Sequence, residues 1–329
     1  MKHMRQASVR QPDAALPADP DAALPADPKP ARPEPIADAP AGLKARLLAY
    51  FALTKPRIIE LLLVTTVPPM FVAARGVPPL DLISWTLVGG ALAAGGANAI
   101  NCYVDRDIDQ EMRRTRRRPL PQHRIAPRNA VVFGASLGVI SFLLLWAAVN
   151  LLAASLAMAA LLFYVVVYTL GLKRNTPQNI VIGGAAGAIP PVVGWAAVTG
   201  EISLPALALF GIVFYWTPPH FWALAMKYEA DYAAARVPMM PVVYGRKETA
   251  RHILLYSLLQ LAMCLVFFSV GRMGLIYLGS ATVLNALFIL EAVKLYMDPE
   301  PKRAWSLFKY SIYFLTLLFA SMAVDQLVA

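Results

Sequence analysis

The sequence predicts an all-α, polytopic membrane protein, a bundle of about nine transmembrane helices. Three observations carry that prediction. Of the 329 residues, 58% are hydrophobic and only 15% charged, with a mean hydropathy of +0.55; a soluble domain carries about a quarter charged residues. Apolar runs of about twenty residues, each able to cross a bilayer core as a helix, recur from residue 58 onward. The charges between these runs collect in alternate connections.

Residues 1–42 read as a separate, disordered Pro/Ala-rich tail, and 43–329 as one transmembrane domain. The first 40 residues hold nine prolines and an octapeptide, DAALPADP, repeated at 13–20 and 21–28. Such a segment buries too little apolar surface to offset its ordering entropy. It has no apolar central region, so it does not read as a secretory signal.

An amphipathic lead, Leu43 to Leu53, ends in Thr54-Lys55-Pro56-Arg57. Proline at a helix start predicts a first span from about Ile58 to Ala74. The second span, about Leu82 to Tyr103, contains Gly89, Gly90, Gly95 and Gly96, and small residues let helices pack closely in lipid. The run from Val131 to Leu172 has no charged residue and is too long for one span, so it must turn near Asn150 into spans three and four. Span five, about Asn179 to Val198, is rich in Gly and Pro. Span six, about Leu204 to Met226, is predicted to break at Pro218-Pro219. Spans seven to nine fall near 252–270, 274–296 and 306–327.

Nine spans can be set against the positive-inside rule. With the N-terminus inside, the inside segments carry 21 Lys and Arg and the outside ones only Arg75 and Arg272. This predicts a multi-pass protein of the cell inner membrane with a cytoplasmic N-terminus and an outside C-terminus. It also accounts for most of the net charge of +10 without nucleic acid as a partner. Cys102 and Cys264 lie in or beside apolar runs and read as buried thiols rather than a disulfide or zinc site.

The densest charge lies at 101–119, NCYVDRDIDQEMRRTRRRP, where the second span ends. Charge beside a membrane segment is costly unless something binds it. Asn101, Asp105 and Asp109 are four residues apart and so share one helix face; Asp107 points elsewhere. Two carboxylates and an amide make an oxygen set for Mg²⁺, an ion commonly held by one or two carboxylates plus substrate phosphates. Arginine forks suit phosphate oxygens, which makes Arg114 and Arg118 candidate diphosphate contacts, with Lys173 a further one.

The other unusual stretch is Tyr215-Trp216-Thr217-Pro218-Pro219-His220-Phe221-Trp222. Downstream, Lys227 and Asp231 follow His220 at seven and eleven residues, on one helix face. His220 could orient a substrate, ligate a metal in a porphyrin or act as a base. The sequence does not choose among these.

At these residues the chain resembles the UbiA superfamily of intramembrane prenyltransferases, and within it the branch that acts on haem. The resemblance covers about residues 48–325. It rests on Thr54-Lys55-Pro56-Arg57, NCYVDRDID, Met112-x-Arg114-Thr115-x-x-Arg118-Pro119-Leu120, Lys173-Arg174-x-Thr176-Pro177-Gln178-Asn179-Ile180, PPVVGWAAVTG, YWTPPHFWALA, Asp231-Tyr232 and Val237-Pro238-Met239. Quinone-type members usually carry N-D-x-x-D-x-x-x-D; here Cys102 stands in place of the first Asp. They also carry a second aspartate-rich motif, where this chain offers His220, Lys227, Glu229 and Asp231.

The resemblance implies catalysis by Asn101, Asp105, Asp109, His220, Lys227 and Asp231. Mg²⁺ would be the cofactor, on Asn101, Asp105 and Asp109. It further implies transfer of farnesyl from farnesyl diphosphate to a vinyl group of haem b, with addition of water, giving haem O for terminal oxidases. Both substrates would reach the site from the lipid bilayer. Haem A synthase or oxidase assembly proteins would be downstream partners. Two rival readings are a prenyltransferase for an aromatic quinone precursor, which would show both full acidic motifs, and a transporter, which would show matching broken helices in two halves.

Overall fold

A computed structural model describes residues 42–328; the predicted disordered tail, apart from Gly42, lies outside the described residues. Helices are the only regular elements among them. Helix α1 (Leu43–Leu53) is followed by Thr54 and Lys55, the latter in the left-handed region at φ 54°. Pro56 then opens α2 (Pro56–Ala74) at a position where no backbone N–H is needed. The order continues with α3 (Leu80–Val104), a short α4 (Arg106–Glu111) and α5 (Pro127–Ala148).

The predicted turn at Asn150 is present, and its cause is visible. The Asn150 side chain accepts from Ala153 N at 2.8 Å, capping α6 (Leu151–Leu162). It also donates to the Ala196 carbonyl at 2.8 Å. Helix α6 continues as a π-helical stretch, Phe163–Leu172. Span five is two helices, α7 (Asn179–Gly187) and α8 (Pro190–Thr199), parted before Pro190. Then come α9 (Leu204–Lys227), α10 (Glu229–Ala234), α11 (Met240–Val270), α12 (Leu275–Met297) and α13 (Pro301–Val328). Helix α11 starts about three turns earlier than the predicted seventh span, and kinks at Gly245 (φ 77°, ψ 170°).

Taking α6 with its π-helical stretch and α7 with α8, eight spans among the described residues are long and apolar enough to cross a membrane. The predicted sixth span is α9, whose 24 residues reach about 36 Å. Its prolines, aromatics, His220 and Lys227 make it less apolar. It tolerates them because 15 of its residues are buried among neighbouring helices rather than facing lipid. The predicted break at Pro218-Pro219 does not occur: α9 is continuous through both. The two prolines remove the N–H partners of the Phe214 and Tyr215 carbonyls, and burial of Trp216 to His220 against neighbouring helices holds the helix together.

Small residues set the closest contacts. A Cβ on Gly96 would stand 2.6 Å from the Gly134 carbonyl oxygen, so α3 and α5 meet backbone to backbone. A Cβ on Gly194 would collide with the Thr66 carbonyl oxygen, joining α8 to α2. Helix α9 packs on α11, α13 and α7, and α13 also packs on α2, so the last span closes against the first. Large apolar side chains such as Val139, Leu143 and Trp146 of α5 and Leu258 and Leu265 of α11 remain exposed, as a lipid-facing surface requires.

Candidate active site

The end of α3 carries the site. Its last two turns bury Asn98, Asn101 and Cys102, and the chain beyond buries Asp105 and Asp109. Asn98 Nδ2 donates to the Thr54 carbonyl at 2.8 Å and so ties α3 to the α1–α2 connection. The three predicted oxygen donors do not lie on one unbroken helix. Helix α3 ends at Val104, Asp105 bends the chain (φ −87°, ψ 3°), and α4 begins at Arg106. The spacing survives because Asp105 N still bonds the Asn101 carbonyl (2.9 Å) and Asp109 N the Asp105 carbonyl (2.8 Å).

Each donor meets a cation. Asn101 Nδ2 donates to Asp105 Oδ2 at 2.8 Å and to Thr169 Oγ1 at 3.1 Å, while Asn101 Oδ1 accepts from Lys55 Nζ at 2.6 Å. Lys173 bonds Asp105 Oδ2. Arg118 grips both oxygens of Asp109 with one nitrogen, at 2.9 and 2.7 Å. Asp107 points away: it is largely exposed and forms a two-pronged pair with Arg174 at 2.6 and 2.7 Å. The hydrogen bonds from Arg174 hold its carboxyl down at about 2.

Lys55 and Thr169 were not candidates on sequence. Lys55 is half-buried, and desolvation pushes its ammonium down to about 8. Its signal was a lysine directly before a helix-starting proline, a position that membrane anchoring also explains. Lys173 reaches Asp105 from the end of the π-helical stretch, where its N–H bonds the Tyr168 carbonyl five residues back (2.8 Å). No spacing rule reveals a π-helix.

Arg114, Lys227 and Asp231 meet in a second place. With Arg113 and Tyr228 they line a cavity of about 390 Å³ between the α4–α5 connection and α10. Arg114 N donates to Asp231 Oδ2 at 3.4 Å, and the Arg114 guanidinium lies 5.6 Å from the Tyr228 ring centre. His220 does not join them. It sits about 10 Å back along α9, buried, with Nδ1 2.7 Å from Ser311 Oγ of α13.

The array suits a hard divalent cation. Asp105 Oδ1 is buried without a hydrogen-bond partner among the described residues, with only the Arg174 guanidinium 3.9 Å away, so it can still accept a ligand. No three His, Cys, Asp or Glu side chains among them cluster tightly enough to hold a metal alone. A metal there would need the Asn101 amide and oxygens from outside the protein, which is how Mg²⁺ commonly binds with phosphates.

The model of the UbiA prenyltransferase family matches residues 62–318. The chain belongs to the UbiA prenyltransferase family. It is thus a multi-pass membrane protein of that family's helical fold. It is 52% identical over 292 residues to a protoheme IX farnesyltransferase of Frankia alni, covering 87% of this chain and 100% of that one. It is 51% identical over 287 residues to a protoheme IX farnesyltransferase of a Roseiflexus species, covering 87% of this chain. This chain spans about half the length of several such relatives, 54% in the Roseiflexus case. Among solved structures, a digeranylgeranylglyceryl phosphate synthase has a TM-score of 0.71 at 19% identity, covering 86% of this chain and 99% of that one. A UbiA homologue from Archaeoglobus fulgidus bound to GPP and Mg²⁺ has a TM-score of 0.60 at 18% identity, covering 83% and 99%. At such identities the structures establish the shared UbiA fold.

Proposed function

We propose that this chain transfers the farnesyl group of farnesyl diphosphate to a vinyl group of haem b, with addition of water, giving haem O. The observation that carries the reading is the 52% identity, over the full length of the Frankia relative, to a protein of that named activity. The buried Asn101–Asp105–Asp109 array with its ring of cations supports a diphosphate substrate.

Asn101, Asp105 and Asp109 would hold Mg²⁺, using Asp105 Oδ1, which has no hydrogen-bond partner among the described residues. When bound, the ion supplies positive charge to the diphosphate oxygens and favours their departure. Lys55, Lys173 and Arg118 surround the same groups and add charge where the leaving group develops it. Arg114 and Lys227 bring further positive charge at the neighbouring cavity. In the transfer, the farnesyl C1–O bond breaks and a vinyl carbon bonds to C1. Water then adds to the vinyl carbon left electron-poor, and one proton is released. The apolar bundle keeps other water from the allylic cation and holds two greasy substrates delivered through the bilayer. We place the N-terminus and this site on the cytoplasmic side of the cell inner membrane, by the positive-inside count. The product would pass to haem A synthase or to oxidase assembly proteins.

The test uses membranes containing the protein, supplied with haem b, farnesyl diphosphate and Mg²⁺, with extracted haems analysed by mass spectrometry. A haem heavier by one farnesyl and one water is expected, and its loss on chelation. Unchanged haem with prenylation of an aromatic acid would move the protein to the quinone branch. Transfer to neither acceptor would refute the enzyme reading.

A further inference from the structure

Ser311 of α13 is bonded to α9 twice. Its carbonyl accepts from Trp216 Nε1 at 2.9 Å, and its Oγ lies 2.7 Å from His220 Nδ1. The same Oγ lies 2.6 Å from the Phe308 carbonyl oxygen. A carbonyl only accepts, so the one hydroxyl proton must lie between Ser311 and Phe308. The hydroxyl therefore accepts from His220, and Nδ1 carries hydrogen. In the neutral ring, Nε2 is then the unprotonated nitrogen, with its lone pair free. Two aromatic neighbours set the ring plane: Trp216 at 4.3 Å between centres and 21° between planes, Phe308 at 4.6 Å and 31°. Among the described residues Nε2 has no hydrogen-bond partner.

This is the second-sphere arrangement of a metal-ligating histidine, in which one ring N–H is donated to an oxygen and the other nitrogen binds metal. We propose that Ser311 is a positioning residue that holds His220 with Nε2 unprotonated, and that Nε2 is an axial ligand to the iron of the haem acceptor. The proposal rests on the haem-acceptor reading above. It anchors the porphyrin on α9, about two turns from the Lys227–Asp231 cavity.

The full chain is purified in detergent and titrated with haem b, following the Soret band and the ferrous iron–histidine stretch by resonance Raman. Wild type is expected to show the histidine band. His220→Gly should lose it and regain it with added imidazole. Ser311→Ala should weaken haem binding by about tenfold or more and shift the band, whereas Ser311→Thr restores the hydroxyl and both values. If His220→Gly does not fold, ¹⁵N-histidine labelling of wild type and Ser311→Ala decides. A band that moves with the label and with the serine substitution supports the proposal; a band that does neither overturns it. Farnesyl transfer is assayed on the same samples. Wild type that makes farnesylated haem but shows no histidine ligation overturns this inference and leaves the functional reading standing. Wild type that neither binds nor modifies haem fails both.

Discussion

Lys55 Nζ donates to Asn101 Oδ1 across 2.6 Å, joining the α1–α2 connection to the end of α3. The partner is a neutral amide, so this half-buried ammonium has no anion of its own: Lys173 already bonds Asp105, and Arg118 bonds Asp109. Burying an unpaired charge is costly, and so is a non-glycine residue in the left-handed region, about 1–3 kcal/mol. Under the proposed function, an incoming diphosphate would offset the first of these costs. Lys55→Met is therefore expected to lower the rate of farnesyl transfer about a hundredfold. Lys55→Arg should restore only part of it, because a forked guanidinium does not fit the space of an ammonium. Initial rates over a range of farnesyl diphosphate concentrations check both.

The three aspartates of the acidic stretch should separate cleanly. Asp105 and Asp109 are buried, and Asp107 is exposed and bonded only to Arg174. Asp105→Asn and Asp109→Asn are expected to reduce transfer at least a hundredfold and to raise the Mg²⁺ concentration needed for half-maximal rate. Asp107→Asn should stay within about threefold of wild type, the scale of an exposed ion pair. Equal loss in all three would mean that local charge, and not a metal-facing set, governs the rate.

The spans and the acidic array were legible because both rest on local chemistry. Apolar run length marks a span, and the four-residue spacing of Asn101, Asp105 and Asp109 marks a face even though the chain bends at Asp105. What stayed hidden depends on partners distant in sequence. Nothing near Lys55 indicates that its ammonium meets Asn101, 46 residues away, and nothing near His220 indicates Ser311, 91 residues away. The double proline misled for the same reason. Local rules break a helix at Pro218-Pro219, whereas burial of both among neighbouring helices keeps α9 continuous.

The α3–α5 contact gives a stability prediction independent of the chemistry. Gly96 and Gly134 lie so close that a Cβ on either would meet the other's carbonyl oxygen at 2.6–2.8 Å. Backbone cannot swing away as a flexible side chain can. Gly96→Ala and Gly134→Ala are each expected to destabilise the protein by about 1–3 kcal/mol, the usual scale of overpacking. Gly279→Ala is the control, since nothing lies within 4 Å of its added methyl group. Thermal unfolding in one detergent, followed by circular dichroism, compares the three.

Asp325, near the end of α13, supplies the last test. Its Oδ2 accepts from Gly274 N at 2.6 Å and its Oδ1 from Tyr277 N at 3.0 Å, so one buried carboxylate satisfies two free N–H groups at the start of α12. The negative charge also faces the positive end of that helix. Asp325→Ala removes both bonds and leaves the N–H groups without a partner, at a cost of about 2 kcal/mol. Asp325→Asn keeps one acceptor oxygen and loses the charge, so its cost should fall between those of wild type and alanine. Both variants should keep their transfer rate at temperatures where they are folded, because Asp325 touches neither the acidic array nor the Arg114–Asp231 cavity. A fall in rate without a fall in unfolding temperature would show that the α12–α13 contact is coupled to the site.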